Sequence, residues 1–230
     1  MRIPCRLAWL FDIDGTLLVT DGAARESFAH AVREQLGVVD DLGDIAFAGR
    51  TEPLILADIL RKHRAEFPDG EEARFWNSVF DHMRTIFHDG RGRLLPGVPE
   101  LLGALAREPA WVAGILTGNM TEMARIKLAR FGLANHFRFG GFGEQAPDRD
   151  QLARRTVERA RRQFGIAPGR CIVVGDTEHD VSCARAAGAR VVAVATGPLT
   201  RAELEALRPD LALEDLSDTD RLLAWARAIE

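Results

Sequence analysis

Short runs of almost wholly apolar residues, each stopping abruptly at polar ones, limit the possible folds of this chain more than any other feature. They are Leu7–Phe11, Trp111–Leu116, 137–139, 171–174 and 191–195, with a further short candidate at Leu211–Leu213. None has a helical period, and all are far shorter than the roughly 20 residues that span a bilayer. A run that is apolar on both sides reads as a strand buried on both faces. That is the condition inside a parallel sheet covered by helices.

Helical patterns separate these runs. Residues 99–106 place Leu101, Leu102 and Leu105 on one face, and 121–130 place Met123, Ile126, Lys127 and Arg130 at helical spacing before Gly132. Residues 150–164 set Leu152, Val157, Ala160 and Phe164 among arginines, and Gly165 follows as a stop. Strand and helix thus alternate from about residue 93 onward, which predicts an α/β fold with a doubly wound parallel sheet. Residues 20–91 differ, with helical patterns at 23–36, 52–63 and 71–87 and no buried strand. They turn at Phe67-Pro-Asp-Gly70 and leave through Asp89-Gly-Arg-Gly92. The expected division is a catalytic core of 1–19 and 92–230 interrupted by an α-helical cap domain of 20–91.

Composition narrows the partners. With 30 basic against 34 acidic residues and a net charge of −4, no basic surface is expected for nucleic acid or anionic membrane. Cys5, Cys171 and Cys183 form neither an even disulfide set nor a CxxC zinc pattern, which suits a reduced, cytoplasmic setting. Arg2 and Arg6 precede an apolar stretch too short for a signal peptide.

In an open parallel sheet the ligand crevice lies beyond the carboxyl ends of the strands, so the polar residues there carry the chemistry. They are Asp12, Asp14, Gly15 and Thr16 after the first strand, Thr117, Gly118 and Asn119 after the second, and Gly175, Asp176, Thr177 and Asp180 after the fourth. Two like charges about 4 Å apart repel by roughly 4 kcal/mol at an effective dielectric of 20, so four carboxylates at one mouth call for a cation. An all-oxygen ligand set selects Mg²⁺ over zinc. Thr117 with the amides of Gly118 and Asn119, at the start of a helix, offers neutral donors for an anion.

Asp12-Ile-Asp14-Gly-Thr16, Thr117, and Gly175-Asp176 with Asp180, in this order at strand ends, resemble the haloacid dehalogenase superfamily. The helical cap after the first motif, Leu95-Pro-Gly-Val98 and Ala187-Gly188-Ala189 are similar to its phosphoglycolate-phosphatase-like branch. The resemblance covers essentially the whole chain. It implies a Mg²⁺-dependent phosphatase of small phosphorylated metabolites. Asp12 would form an aspartyl-phosphate, and Asp14 would act as general acid and base. Mg²⁺ would be held by Asp12, the Asp14 carbonyl and Asp176, with Asp180 in support, and Thr117 would bind the transferring phosphoryl group. Thr16, Gly118 and Asn119 are assigned to the substrate, as is Arg50 of the cap, which could reach over the mouth to a second anionic group.

The family usually places a lysine between the second and last motifs. The lysines of this chain are Lys62 and Lys127, and Lys127 lies ten residues past Thr117, about 15 Å along a helix and so out of reach. Arg149 is the expected replacement, with Arg154 and Arg155 close behind it. His179 is expected at the rim. The rival readings are a phosphomutase of a sugar phosphate, which keeps both aspartates, and a phospho-accepting signalling or scaffold domain, for which the cap would have no use.

Overall fold

Alternate residues of the first strand, β1 (Leu7–Phe11), point to opposite faces of one sheet, as the period of two in a strand requires. Leu7, Trp9 and Phe11 join one buried cluster, Ala8 and Leu10 another. The computed structural model describes residues 5–88 and 90–230; Arg2 and Asp89 lie outside the described residues.

From β1 the chain passes through β2 (Leu18–Val19) into three helices, α1 (Ala23–Leu36), α2 (Glu52–His63) and α3 (Glu72–Ile86). It returns through β3 (Arg93–Leu94) and continues as α4 (Val98–Ala106), β4 (Trp111–Leu116), α5 (Thr121–Arg130), β5 (Gly140–Gly141), α6 (Arg149–Phe164), β6 (Cys171–Gly175) and α7 (Glu178–Ala186). It ends as β7 (Arg190–Val194), α8 (Arg201–Ala206), β8 (Leu211–Leu213) and α9 (Thr219–Ala228). The main sheet has the order β5-β4-β1-β6-β7-β8 with every pairing parallel, the α/β architecture expected from the apolar runs. β1 lies between β4 and β6, so the three motif-bearing strands are neighbours and their carboxyl ends meet at one edge.

One expected strand is displaced. The run 137–139 leads into β5 and is not itself the assigned strand, because its phenylalanines are used for packing: Phe137 meets Phe11 edge-on and Phe139 lies against Phe164. The two glycines that follow form the short edge pairing with β4.

α4, α5 and α9 pack on one face of the sheet, and α6, α7 and α8 on the other. A third cluster, built around Phe28, Ile59, Phe75, Val79 and Met83, holds α1, α2 and α3 together. The segment bearing these helices leaves and returns through the antiparallel pair β2–β3, in which Leu18 faces Leu94 and Val19 faces Arg93. α5 belongs to both bodies: Ala124 and Leu128 enter the sheet cluster, whereas Met123 and Ile126 enter the helical one. Cys5, Cys171 and Cys183 are all free thiols, and among the described residues no helix is long and apolar enough to cross a membrane.

Candidate active site

Asp12 is the first residue beyond β1, and its backbone N–H still donates to Val174 of β6 at 3.0 Å, which fixes it against the neighbouring strand end. The chain then turns sharply at Gly15, whose φ of +79° suits glycine and whose missing side chain matters. A Cβ there would lie 2.3 Å from a carboxylate oxygen of Asp176. Gly197 opens the same space from the other side. Asp12, Asp176 and Asp180 are all buried, and one carboxylate oxygen from each falls within 4.8 Å of the others.

The four carboxylates named from the sequence therefore do not form one group. Asp12, Asp176 and Asp180 converge, while the carboxylate of Asp14 turns the other way. Arg149, the first residue of α6, reaches into the trio: its Nη2 lies 3.2 Å from Asp12 and donates to Asp180. Of the three arginines at the start of α6, Arg149 is the one on these carboxylates. Arg154 and Arg155 are spent on the backbone carbonyls of Ala186 and Gln145.

Burial dominates the electrostatics. It pushes the Asp176 carboxyl up to about 9, with the neighbouring Asp180 and Asp12 adding to the effect. Asp12 is pushed up to about 6, again chiefly by burial, with Arg149 opposing. Burial works against the charge of Arg149, but Asp180 and Asp12 outweigh it and hold the guanidinium protonated. Fully ionised, three carboxylates beside one guanidinium would carry a net −2, the state that burial disfavours and a cation would stabilise, and the donors are all hard oxygens. The site thus fits a divalent cation such as Mg²⁺. Asp180 is already occupied, because one of its oxygens accepts from the backbone N–H (3.1 Å) and hydroxyl (2.8 Å) of Thr177 at the start of α7.

Thr16, expected at the substrate, does not line the cavity. Its hydroxyl is fully buried and donates to Asp176 at 3.0 Å, so it orients that carboxylate. The tight turn at Gly15 folds Thr16 under the strand ends, away from the mouth.

Asp14 has its own neighbourhood, and here the sequence reading needs correction. Lys127 is not too far away: its Nζ lies 2.7 and 2.8 Å from the two Asp14 oxygens and donates to Asn119 Oδ1 at 2.5 Å. The estimate of about 15 Å assumed a helix starting at Thr117 and leading away. α5 starts at Thr121, so Lys127 is only about 9 Å along it, and the long lysine stem lies buried back toward the strand ends. Asn119 Nδ2 donates to both Asp14 (2.7 Å) and Thr117 Oγ1 (2.7 Å). Thr117 Oγ1 also accepts from the Asn119 backbone N–H at 3.3 Å, which leaves its own O–H free to donate.

A residue the sequence reading missed closes this side. Glu52, the first residue of α2, is buried, and burial pushes its carboxyl up to about 8. It accepts from the Met120 N–H at 2.7 Å, while its own N–H donates to the carbonyl of Gly118 at 2.8 Å. Gly118 makes this approach possible, since a Cβ there would lie 2.0 Å from the Arg50 carbonyl oxygen. The glutamate beginning a helical run just after Gly49-Arg50-Thr51 was the available signal. Arg50 itself lines the cavity, with Nη2 held by Asp58 at 2.5 Å and Nε unpartnered. The cleft between the two bodies measures about 360 Å³, and Asp12, Asp14, Thr117, Gly118, Asn119, Lys127 and Asp176 all line it. His179 lines an adjoining outer groove and is half exposed, as expected of a rim residue.

The strand-end carboxylates thus split between a cation-demanding cluster and a lysine-held one, at the carboxyl edge of a doubly wound sheet. Comparison with known proteins names the class. The family of haloacid dehalogenase-like hydrolases matches residues 9–194, and the chain belongs to it. Among curated relatives, the phosphoglycolate phosphatase of Mesorhizobium japonicum is 28% identical over 189 residues, covering 82% of each chain. The 5′-nucleotidase of Pseudomonas aeruginosa is 28% identical over 220 residues, 93% of this chain and 94% of the relative. The crystal structure of CbbY from Rhodobacter sphaeroides in complex with phosphate has a TM-score of 0.75 at 20% identity, covering 93% of this chain and 96% of that one.

Proposed function

We propose that the chain is a Mg²⁺-dependent phosphatase of small phosphomonoesters that works through an aspartyl-phosphate on Asp12. The observation that carries this reading is the division between the paired aspartates. Asp12 faces the cation-demanding cluster, whereas Asp14, two residues later, faces Lys127 and Asn119. Two carboxylates in different surroundings suit two roles.

In this mechanism the Asp12 and Asp176 carboxylates and the Asp14 carbonyl would hold Mg²⁺, with Asp180 supporting them. The ion would offset the charge of the phosphoryl oxygens and of the carboxylates around it. A carboxylate oxygen of Asp12 attacks phosphorus, the bond from phosphorus to the leaving oxygen breaks, and that oxygen takes the proton of Asp14. Water then attacks the same phosphorus and gives a proton to the Asp14 carboxylate. Inorganic phosphate leaves and Asp12 is regenerated. The Thr117 hydroxyl and the Arg149 guanidinium are the donors for the phosphoryl oxygens.

The helical segment 20–91 serves as a cap over the core of 1–19 and 92–230. Its docking on Gly118 would exclude bulk water during the reaction. The relatives named phosphoglycolate phosphatase make phosphoglycolate the first substrate to assay, and a cavity of about 360 Å³ suits small metabolites. Arg50, with an unpartnered Nε, is the candidate for a second anionic group on such a substrate. Three free cysteines suit a cytoplasmic setting.

Phosphate release by the Asp12→Asn variant tests the nucleophile. The expected loss is on the order of 10³-fold or more, with a native-like circular dichroism spectrum. Retained turnover by the folded variant would remove Asp12 from its role. A panel of phosphorylated metabolites, scored for free phosphate against isomerised sugar phosphate, separates phosphatase from phosphomutase.

A further inference from the structure

Glu52 sits on the helical segment but makes its hydrogen bonds to the core. Its carboxylate accepts from the N–H of Met120, the residue immediately before α5, and its N–H donates to Gly118. α5 has no side-chain cap from its own preceding residue. The N–H groups at a helix start need acceptors and favour anionic ones; here Glu144 takes the N–H and hydroxyl of Thr121, and Glu52, 68 residues away in the chain, takes the N–H of Met120. α5 in turn carries Lys127, which with Asn119 holds Asp14. Because α5 packs into both hydrophobic clusters, its position depends on both bodies of the molecule.

We propose that Glu52 is a positioning residue for Asp14: it fixes the start of α5, and so the Lys127–Asn119 pair that aims the Asp14 carboxyl at the leaving oxygen. Docking of the helical segment would therefore complete the acid as well as close the cavity. The inference rests on the reading of Asp14 as general acid, and the test separates the two.

Rates are compared on two esters with the full chain and Mg²⁺. p-Nitrophenyl phosphate releases a weakly basic phenolate that departs without a proton; β-glycerol phosphate releases an alkoxide that needs one. Asp14→Asn calibrates the assay and should depress kcat on the alkyl ester far more than on the aryl ester. Glu52→Ala should show the same split, at about tenfold, and Glu52→Gln should restore both rates, because the amide oxygen still accepts from Met120. Should Glu52→Ala fail to fold, Glu52→Asp replaces it, with the carboxyl retained but its reach shortened by one methylene. An equal loss on both esters for the folded Glu52 variant, beside a clear split for Asp14→Asn, overturns the positioning role and leaves the acid in place. Absence of a split in Asp14→Asn removes the acid assignment and this inference with it.

Discussion

Asp12 and Asp14 are separated by one residue, yet they belong to two differently built halves of the site. The Asp12 half is assembled by the sheet core, from the ends of β1 and β6 and the first residue of α6, and its charge is partly offset by a buried arginine. The Asp14 half is assembled by α5 and the helical segment, with a lysine as its cation and Glu52 at its back. The first half presents a surplus of carboxylate in a buried site. In the second, each carboxylate oxygen of Asp14 already has a hydrogen-bond donor. Neighbours in sequence have thus been given different chemistry by what packs behind them.

Removing the cation from the first half is the severest way to break this contrast. Arg149→Met leaves Asp12 and Asp180 without their buried partner, and breaking such a pair costs about 3–5 kcal/mol. Urea melts with chelator should show a loss of that size, and Mg²⁺ should restore more stability to the variant than it adds to the wild type. An undiminished midpoint in chelator would mean that Arg149 does not balance the trio. Its Nε lacks a partner and its Nη1 donates to the Gly49 carbonyl at 3.5 Å, so its contacts with the carboxylates are those of Nη2.

The same contrast shows which parts of the molecule a sequence can reveal. The sheet was legible because strands buried on both faces must be apolar throughout, and β1, β4 and β8 begin and end where their runs do. Asp12 and Asp176 were legible too, since they follow closely on those runs, and Asp180 and Arg149 stand at the starts of α7 and α6. Of the Asp14 half, Asp14, Thr117 and Asn119 were legible, but the lysine and glutamate that support them were not. Lys127 looks like an ordinary helix residue until the start of α5 is placed at Thr121, and its burial depends on packing that no local pattern encodes. Glu52 has still less local signal, because its partner Met120 lies in another part of the chain. Thr16 erred in the opposite direction: it is part of the motif, but a positive-φ glycine before it turns it under the site. Contacts made across the sequence, and turns of one residue, are where the pattern stopped informing the chemistry.

A metal titration sharpens the comparison at a smaller scale. Saturation at 100 times the dissociation constant adds about 2.7 kcal/mol to the folded state. Mg²⁺ should raise the thermal midpoint of the wild type accordingly, and Asp176→Asn should lose that gain. Lys127→Met, on the other half, should keep it. A loss of the Mg²⁺ effect in Lys127→Met would show that the two halves are coupled through the ion and are not separate in function.

A pH dependence, measured as a slope, belongs to Glu52. Its folded-state pKa is pushed up from 4.5 to about 8 by burial, with the Lys127 charge opposing. Between those values the unfolded chain has released this proton while the folded chain retains it. The stability it contributes is therefore full below pH 4.5 and is lost as pH rises through about 8. Glu52→Gln cannot titrate, so its stability relative to the wild type should climb by at most about 1.4 kcal/mol per pH unit across that window and level off above it. Asp12 and Asp176 also carry raised pKa values, but they are present in both proteins and cancel in the difference. Melts of the two proteins at matched pH and ionic strength measure it. A flat difference from pH 5 to 8 would mean that Glu52 is already ionised in the folded protein, held so by Lys127 and the start of α5, and the Asp14 half would then carry one more negative charge than its burial suggests.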